Sequence, residues 1–334
     1  MPGLVALDWG TTTCRAYLLD EDGVVVEQRT SEDGVAVLDR RATSGGSRAR
    51  VYEDAFAGLC GDWISGSPGL PVVASGMVGS DRGWLRTPYV SLPFDIVRDD
   101  LPLTTVRTSL GDLHLVPGVA WTRGASADVV RGEEAQALGA LLHVDPAEHE
   151  ETVLVLPGTH SKWLRARGTT LTEIVTALTG ELYATLLEHT VLGRGVRRPG
   201  SPQWSAFDRG LDTAGERAAE GVVLTLFSVR SLAVTGALPA HEAPDYLSGL
   251  LVGAELAGVA DDWLGSSSVE PVVVGARHLQ QRYARALARR GTRARLVDGD
   301  VTPAALHHIA LRAGMVPAPR TARRTVPGST GARA

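Results

Sequence analysis

Three short apolar or alternating runs open the chain, Leu4–Asp8, Ala16–Leu19 and Val24–Gln28, separated by Gly and Asp turns. That pattern predicts a three-stranded antiparallel meander. Tyr52–Ser65 instead places Phe56, Leu59, Cys60, Trp63 and Ile64 at helical intervals, and a Gly-Ser-Pro-Gly break follows. Pro71–Ala74 reads as a buried strand. Residues 76–118 mix Gly, Pro and strand-like pieces, with a further strand at Leu113–Val116. Val129–Leu142 reads as a helix whose apolar side carries Ala137, Leu138, Leu141 and Leu142.

Acidic and polar residues around Asp145–Glu151 mark a surface connection and the expected domain boundary. The division is 1–147, 148–316 and a tail, 317–334, whose Pro, Arg, Gly, Ser and Thr content predicts disorder. Beyond the boundary, strand Val153–Leu156, turn Pro157–Ser161 and strand Lys162–Arg167 repeat the order strand, Gly-Thr turn, strand seen at 4–19. Two such units opening two halves point to a duplicated architecture. Helical spacing follows at about 172–190, 213–233 and 245–264. A core strand at Pro271–Val274 leads through Gly275 into a helix at His278–Arg290. A strand at Arg295–Val297 and a helix at Pro303–Ala313 complete an α/β chain.

Composition removes several function classes. The 334 residues suffice for two domains, and 44% are apolar. A net charge of −5 argues against a broad basic surface for nucleic acid or anionic lipid, though it leaves room for a small basic pocket. Two cysteines, Cys14 and Cys60, without CxxC spacing, disfavour a disulfide framework or zinc site and suit a reducing cytoplasm. Asp8 interrupts the first apolar run, no basic segment precedes it, and no apolar run is long enough for a bilayer. Basic residues are almost all arginine, and Lys162 is the only lysine.

Candidate chemistry concentrates in five segments. In Asp8-Trp9-Gly10-Thr11-Thr12-Thr13-Cys14-Arg15, Gly10 permits a tight turn whose backbone N–H groups can face phosphate, and Thr11, Thr12 and Thr13 add hydroxyl donors. Asp8, itself anionic, suits Mg²⁺ rather than phosphate. Pro157-Gly158-Thr159-His160-Ser161-Lys162 repeats the Gly-Thr turn, with the sole lysine as a cation for a transferring phosphoryl group or a substrate carboxylate. His160 is either a ligand or an ordinary hydrogen-bonded turn residue. Arg131-Gly132-Glu133-Glu134-Ala135-Gln136 opens a helix, where carboxylates are favoured by the dipole in any case. One of the two can also act as general base, and Glu133, directly after Gly132, is preferred. Val272–Arg277 ends a buried strand in Gly275-Ala276, where a flat adenine ring can approach the backbone. Ser75–Trp84 combines glycines with Ser80, Asp81, Arg82 and Trp84, residue types that suit a polyhydroxy acid. Neither a G-x-x-x-x-G-K-[ST] loop nor a G-x-G-x-x-G turn after a strand is present, which disfavours P-loop and Rossmann sites.

Together these segments resemble the actin, sugar kinase and chaperone ATPase superfamily, and more narrowly the 2-dehydro-3-deoxygalactonokinase family. The stretches that carry the resemblance are ALDWGTTTCRAYLLD, SGMVGSDRGWLRTPYV, RGEEAQALGALL, LPGTHSKWL, LTGELYATLLEHTVL and YLSGLLVGAEL. The resemblance implies two actin-like (ribonuclease H-like) domains with a nucleotide cleft between them. It implies ATP-dependent phosphorylation of 2-dehydro-3-deoxy-D-galactonate at its 6-hydroxyl. Asp8–Arg15 and Pro157–Lys162 correspond to the two phosphate motifs, Val273–Arg277 to the adenosine motif, and Glu133 to the base. Arg82 or Arg15 would hold the sugar carboxylate. A kinase for another sugar or sugar acid, and an ATP-driven switch or filament protein, remain competing readings, and a homodimer remains open as the assembly.

Overall fold

The structure is a computed structural model that describes residues 2–144, 151–197, 199–265 and 269–317. The boundary expected at 147 and the tail expected after 317 lie outside these residues. The chain opens with the meander read from its short runs and turns: β1 (Pro2–Trp9), β2 (Cys14–Asp20) and β3 (Val25–Ser31), paired antiparallel. Two helices follow, α1 (Val35–Thr43) and α2 (Arg48–Gly66), and then β4 (Val72–Gly76), parallel to β1 with Asp8 opposite Ser75. Next come β5 (Tyr89–Ser91), β6 (Phe94–Asp95), β7 (Thr104–Thr108), β8 (Gly111–Leu115), β9 (Gly118–Arg123), β10 (Ser126–Val130) and α3 (Glu133–His143).

The second half repeats the plan. Strands β11 (Thr152–Leu156), β12 (Ser161–Arg167) and β13 (Thr170–Ala177) form an antiparallel meander. Helices α4 (Thr179–His189), α5 (Trp204–Glu216), α6 (Val222–Thr225), α7 (Ser228–Val234) and α8 (Ala243–Trp263) precede β14 (Val272–Val273), α9 (Arg277–Arg289), β15 (Arg295–Leu296) and α10 (Thr302–Arg312). The sheet orders are β3-β2-β1-β4-β8-β7 and β15-β14-β11-β12-β13-β6. In each, a meander is extended past its first strand by two parallel strands. Five strands correspond in order, β3-β2-β1-β4-β8 with β13-β12-β11-β14-β15, while β7 and β6 are additions at opposite ends, so the molecule has two actin-like units of α/β type.

The alternation of β1 and β11 explains how the halves pack. Val5, Leu7 and Trp9 face a core shared with α1 and α2, whereas Leu4 and Ala6 face a central core. Likewise Val153 and Val155 face the helices α5, α8 and α9, whereas Leu154 and Leu156 join the central core. Both central strands are thus apolar on both faces, as expected of strands covered by helices on each side. Helices α3 and α10 fill the space between the sheets, and α10 packs on α3 and β1. The first half also lends a strand to the second sheet, since Phe94–Asp95 pairs with β13.

Three sequence expectations shift. Val129 and Val130 end β10 instead of starting a helix, because Gly132 takes φ +106° and breaks the chain before α3. The helix expected from 172 begins at Thr179. Thr172, Ile174, Val175 and Thr176 are β-branched and continue β13 to Ala177. The helix expected at 213–233 is three pieces, α5, α6 and α7, interrupted by a 3₁₀ turn at Ala218–Glu220.

Candidate active site

The first hairpin is built on α1, an element the sequence reading missed. Gly10 N donates to Thr13 O (2.9 Å), closing the turn, and the first N–H groups of α1 donate to its carbonyls, Val35 N to Gly10 O (3.0 Å) and Ala36 N to Thr11 O (2.9 Å). The helix start therefore anchors the turn. Thr11, Thr12 and Thr13 stay exposed at its tip. At the strand end, Asp8 is ion-paired with Arg15 (2.7 Å), and Arg15 also reaches Asp300 (3.0 Å). Tyr17 donates to the same Asp300 oxygen at 2.5 Å. Burial raises the Asp8 carboxyl, Arg15 opposes this, and the charges of Asp300 and Glu133 push it further up. Asp300 is pulled below the usual carboxylate range: burial works against this, but hydrogen bonds from Tyr17 and Thr302 and the Arg15 charge outweigh it.

Glu133 and Glu134 lie at the first turn of α3, and the structure separates them. Glu133 is half-buried, its charge is felt at Asp8, and its Oε2 accepts from Arg131 N at 3.0 Å. Gln136, one helical turn on, lines a cavity of about 420 Å³ with Arg15, Pro157, Gly275, Ala276, Gln280 and Asp300. Glu134 is fully buried, with Oε2 accepting from Gly132 N (2.6 Å) and Oε1 unpartnered. Burial, then the Glu133 charge, pushes its pKa up to about 8.

The expected sugar-acid loop divides in two. Asp81 and Arg82 are exposed, with Asp81 ion-paired to Arg86 at 3.0 Å. Ser80 Oγ is buried without a partner. Trp84 does not face solvent: it sits in the first core against Tyr52, Trp9 and Phe56, ring centroids 5.9–6.1 Å apart, so no sugar reaches its face. An aromatic body of that size gains more from burial than from exposure. Beneath the loop, buried Arg131 donates to Thr87 Oγ1 and Thr87 O and lies 4.3 Å from the Tyr89 ring centre.

The second turn stands over the start of α4. Glu181 N donates to Thr159 O (2.8 Å), and His160 Nε2 meets Glu181 Oε2 at 2.5 Å on the exposed side. Gly158 and Thr159 wall a second cavity, of about 390 Å³, with Thr179, Gly180, Ser248, His278, Leu279 and Tyr283. Lys162 departs from its expected place. It is 6% exposed, lines neither cavity, and its Nζ donates to Val129 O (3.0 Å) and Thr176 Oγ1 (2.9 Å). Its position in the strand points it between β10 and β13.

The family model for 2-keto-3-deoxy-galactonokinase matches residues 8–309. The chain is 35% identical over 299 residues to the 2-dehydro-3-deoxygalactonokinase of Escherichia coli (strain K12), covering 89% of this chain and 93% of that one. The chain belongs to the 2-keto-3-deoxy-galactonokinase family. A probable 2-dehydro-3-deoxygalactonokinase of Rhizobium meliloti (strain 1021) is 32% identical over 319 residues, 94% of this chain and 96% of that one. The crystal structure of a 2-dehydro-3-deoxygalactonokinase-family protein from Sinorhizobium meliloti superposes with a TM-score of 0.78 at 29% identity, covering 93% and 95% of the two chains.

Kinases use ATP and a divalent ion, and the residues present fit both. Gly180 approaches Gly158 so closely that a Cβ would lie 2.2 Å from its carbonyl oxygen, which lets the turn and α4 close on a shared cavity. Among the described residues no group of three or more His, Cys, Asp or Glu forms a metal cage. Asp8 and Asp300 instead offer one or two hard oxygen ligands, as Mg²⁺ prefers when phosphates and water supply the rest. Asp300 escaped the sequence reading, and Arg131 and Gln136 entered it only as neighbours of Glu133. Gln136 alone left a signal, since it lies at i+3 from Glu133 and shares its helix face. No described helix is long and apolar enough to cross a membrane.

Proposed function

We propose that this chain transfers the γ-phosphoryl group of ATP to the 6-hydroxyl of 2-dehydro-3-deoxy-D-galactonate, giving 2-dehydro-3-deoxy-6-phosphogalactonate in galactonate catabolism. The observation that carries this reading is the convergence at one cavity: Arg15, paired with Asp8, and Gln136 come from one half, Pro157 and Gly275 from the other. Glu133 stands one turn from Gln136 and within electrostatic reach of Asp8. Glu133 takes the hydroxyl proton as the new O–P bond forms and ADP leaves. Gly10–Thr13 and Gly158–Thr159 bind phosphates, Gly275–Ala276 the adenosine, and Asp8 the metal. Mg²⁺ there supplies charge neutralisation on the phosphates.

Arg82, exposed in the first half's sugar loop, binds the substrate carboxylate. Arg15 is already held by Asp8 and Asp300, so it serves the phosphate side instead. Closure of the two halves, divided near residue 147 with α10 returning to the first sheet, excludes water. The buried free thiols Cys14 and Cys60 suit a reducing cytoplasm. The test is a panel of sugar acids and neutral sugars read by ADP release, run with wild type and Glu133→Gln. Activity on 2-dehydro-3-deoxy-D-galactonate should exceed that on neutral sugars, and the variant should lose about 10²- to 10⁴-fold in kcat with ADP affinity kept. Preference for a neutral sugar would overturn the substrate; near-wild-type kcat would overturn the base.

A further inference from the structure

Glu255 of α8 is a buried carboxylate, 8% exposed, with only neutral partners among its hydrogen bonds. It accepts from Trp163 Nε1 of β12 (2.7 Å), from Tyr283 OH of α9 (2.7 Å) and from Thr179 Oγ1 at the start of α4. Tyr283 has one hydroxyl proton, which goes to Glu255. The 2.6 Å contact between Ser161 Oγ and Tyr283 OH is therefore donated by Ser161. Four elements thus meet at one side chain. Burial pushes its carboxyl up, and the hydrogen bonds from Thr179, Tyr283 and Trp163 hold it back.

A buried carboxylate without a cation is a costly way to fill space, and packing alone favours an apolar or amide residue. The donors are placed around one feature. Ser161 follows the Gly158–Thr159 turn, Thr179 precedes Gly180, and Tyr283 lies on the helix that carries His278 and Leu279. All of these residues wall the 390 Å³ cavity. Glu255 itself is absent from that wall; it lines a neighbouring cavity of about 380 Å³ that shares Thr179 with it.

We infer that Glu255 is a positioning residue for the nucleotide. It fixes the spacing of the second phosphate turn, the first turn of α4 and the adenosine helix α9 without touching ATP. This inference rests on the proposed binding of the nucleotide phosphates at Gly158–Thr159, which wall that cavity.

Glu255→Gln and Tyr283→Phe keep the shape of the network while weakening its hydrogen bonds. The measurements are KM for ATP, KM for the sugar acid, thermal stability, and ADP affinity by calorimetry. Ser248→Trp, which fills the cavity, is measured alongside. Glu255→Gln should raise KM for ATP and the ADP Kd about tenfold, with KM for the sugar acid within about twofold of wild type, and Tyr283→Phe should shift the same constants less. ADP affinity unchanged in both network variants, with Ser248→Trp losing it, would sink the positioning role and leave the ATP site standing. Equal rises in both KM values, tracking a lower Tm, would show a purely structural role and sink it too. Wild-type ADP affinity in Ser248→Trp would remove the ATP assignment and the inference with it.

Discussion

Two adjacent carboxylates at the start of α3 end in different environments, and the difference comes from helix geometry. Neighbouring residues on a helix point about 100° apart. Glu133 accordingly stays half-buried, near enough for its charge to act on Asp8, and Glu134 turns into the core. The sequence identified the pair and preferred Glu133, but it could not show that Glu134 would be fully buried with its own Oε1 unpartnered. That depends on how α3 sits between the two sheets. The folded pKa of Glu134, about 8, lies above its ordinary 4.5, so the folded protein holds a proton that the unfolded chain releases. The associated stabilisation is complete below about pH 4.5 and is lost as pH rises through 8, on the order of 5 kcal/mol. Glu134→Gln imitates the protonated acid and keeps an acceptor for Gly132 N. The Tm of the variant relative to wild type should therefore climb between pH 5 and pH 9. A difference independent of pH would mean that Glu134 is already ionised when folded.

Short apolar runs flanked by turn residues were legible: the opening meander, β11 and β12 match their expected spans within three residues. Less legible were elements whose identity depends on a partner strand. The hairpin β9–β10 exists because β5 and the second half cover it, and β13 because β12 and β6 flank it. The segment Ser75–Tyr89 shows the same limit at a functional site. Its residue types suggested a sugar pocket, yet Trp84 turns inward onto Tyr52 at 26° between ring planes. Trp84→Phe removes part of a packed aromatic cluster and should cost about 1–3 kcal/mol in stability. KM for the sugar acid should stay at the wild-type value. An increase in KM with Tm intact would return Trp84 to the sugar site.

At the scale of the molecule, duplication was visible in two Gly-Thr turns, whereas the interlocking of the halves was not, since the lent strand β6 is two residues long and α10 looks like any terminal helix. The sole lysine belongs to that interlocking. Lys162 bonds Val129 O, and Asp128 accepts from Thr176 N (2.7 Å) and Thr176 Oγ1 (2.5 Å), which ties β10 of the first half to β12 and β13 of the second. Strand β10 runs directly into Arg131, Gly132 and Glu133, so the tie holds the segment that presents the base. A compact ammonium suits two acceptors in a site this closed, and a planar guanidinium does not, which accounts for lysine in a chain otherwise using arginine. Lys162→Met and Asp128→Asn both loosen the tie, and misplacement of a base by about 1 Å costs about 10²-fold in rate. Both variants should lose kcat by roughly 10- to 100-fold while ADP still binds. If Lys162→Met abolishes turnover and Asp128→Asn leaves it untouched, the lysine acts on the phosphoryl group itself, as its place beside the second turn first suggested.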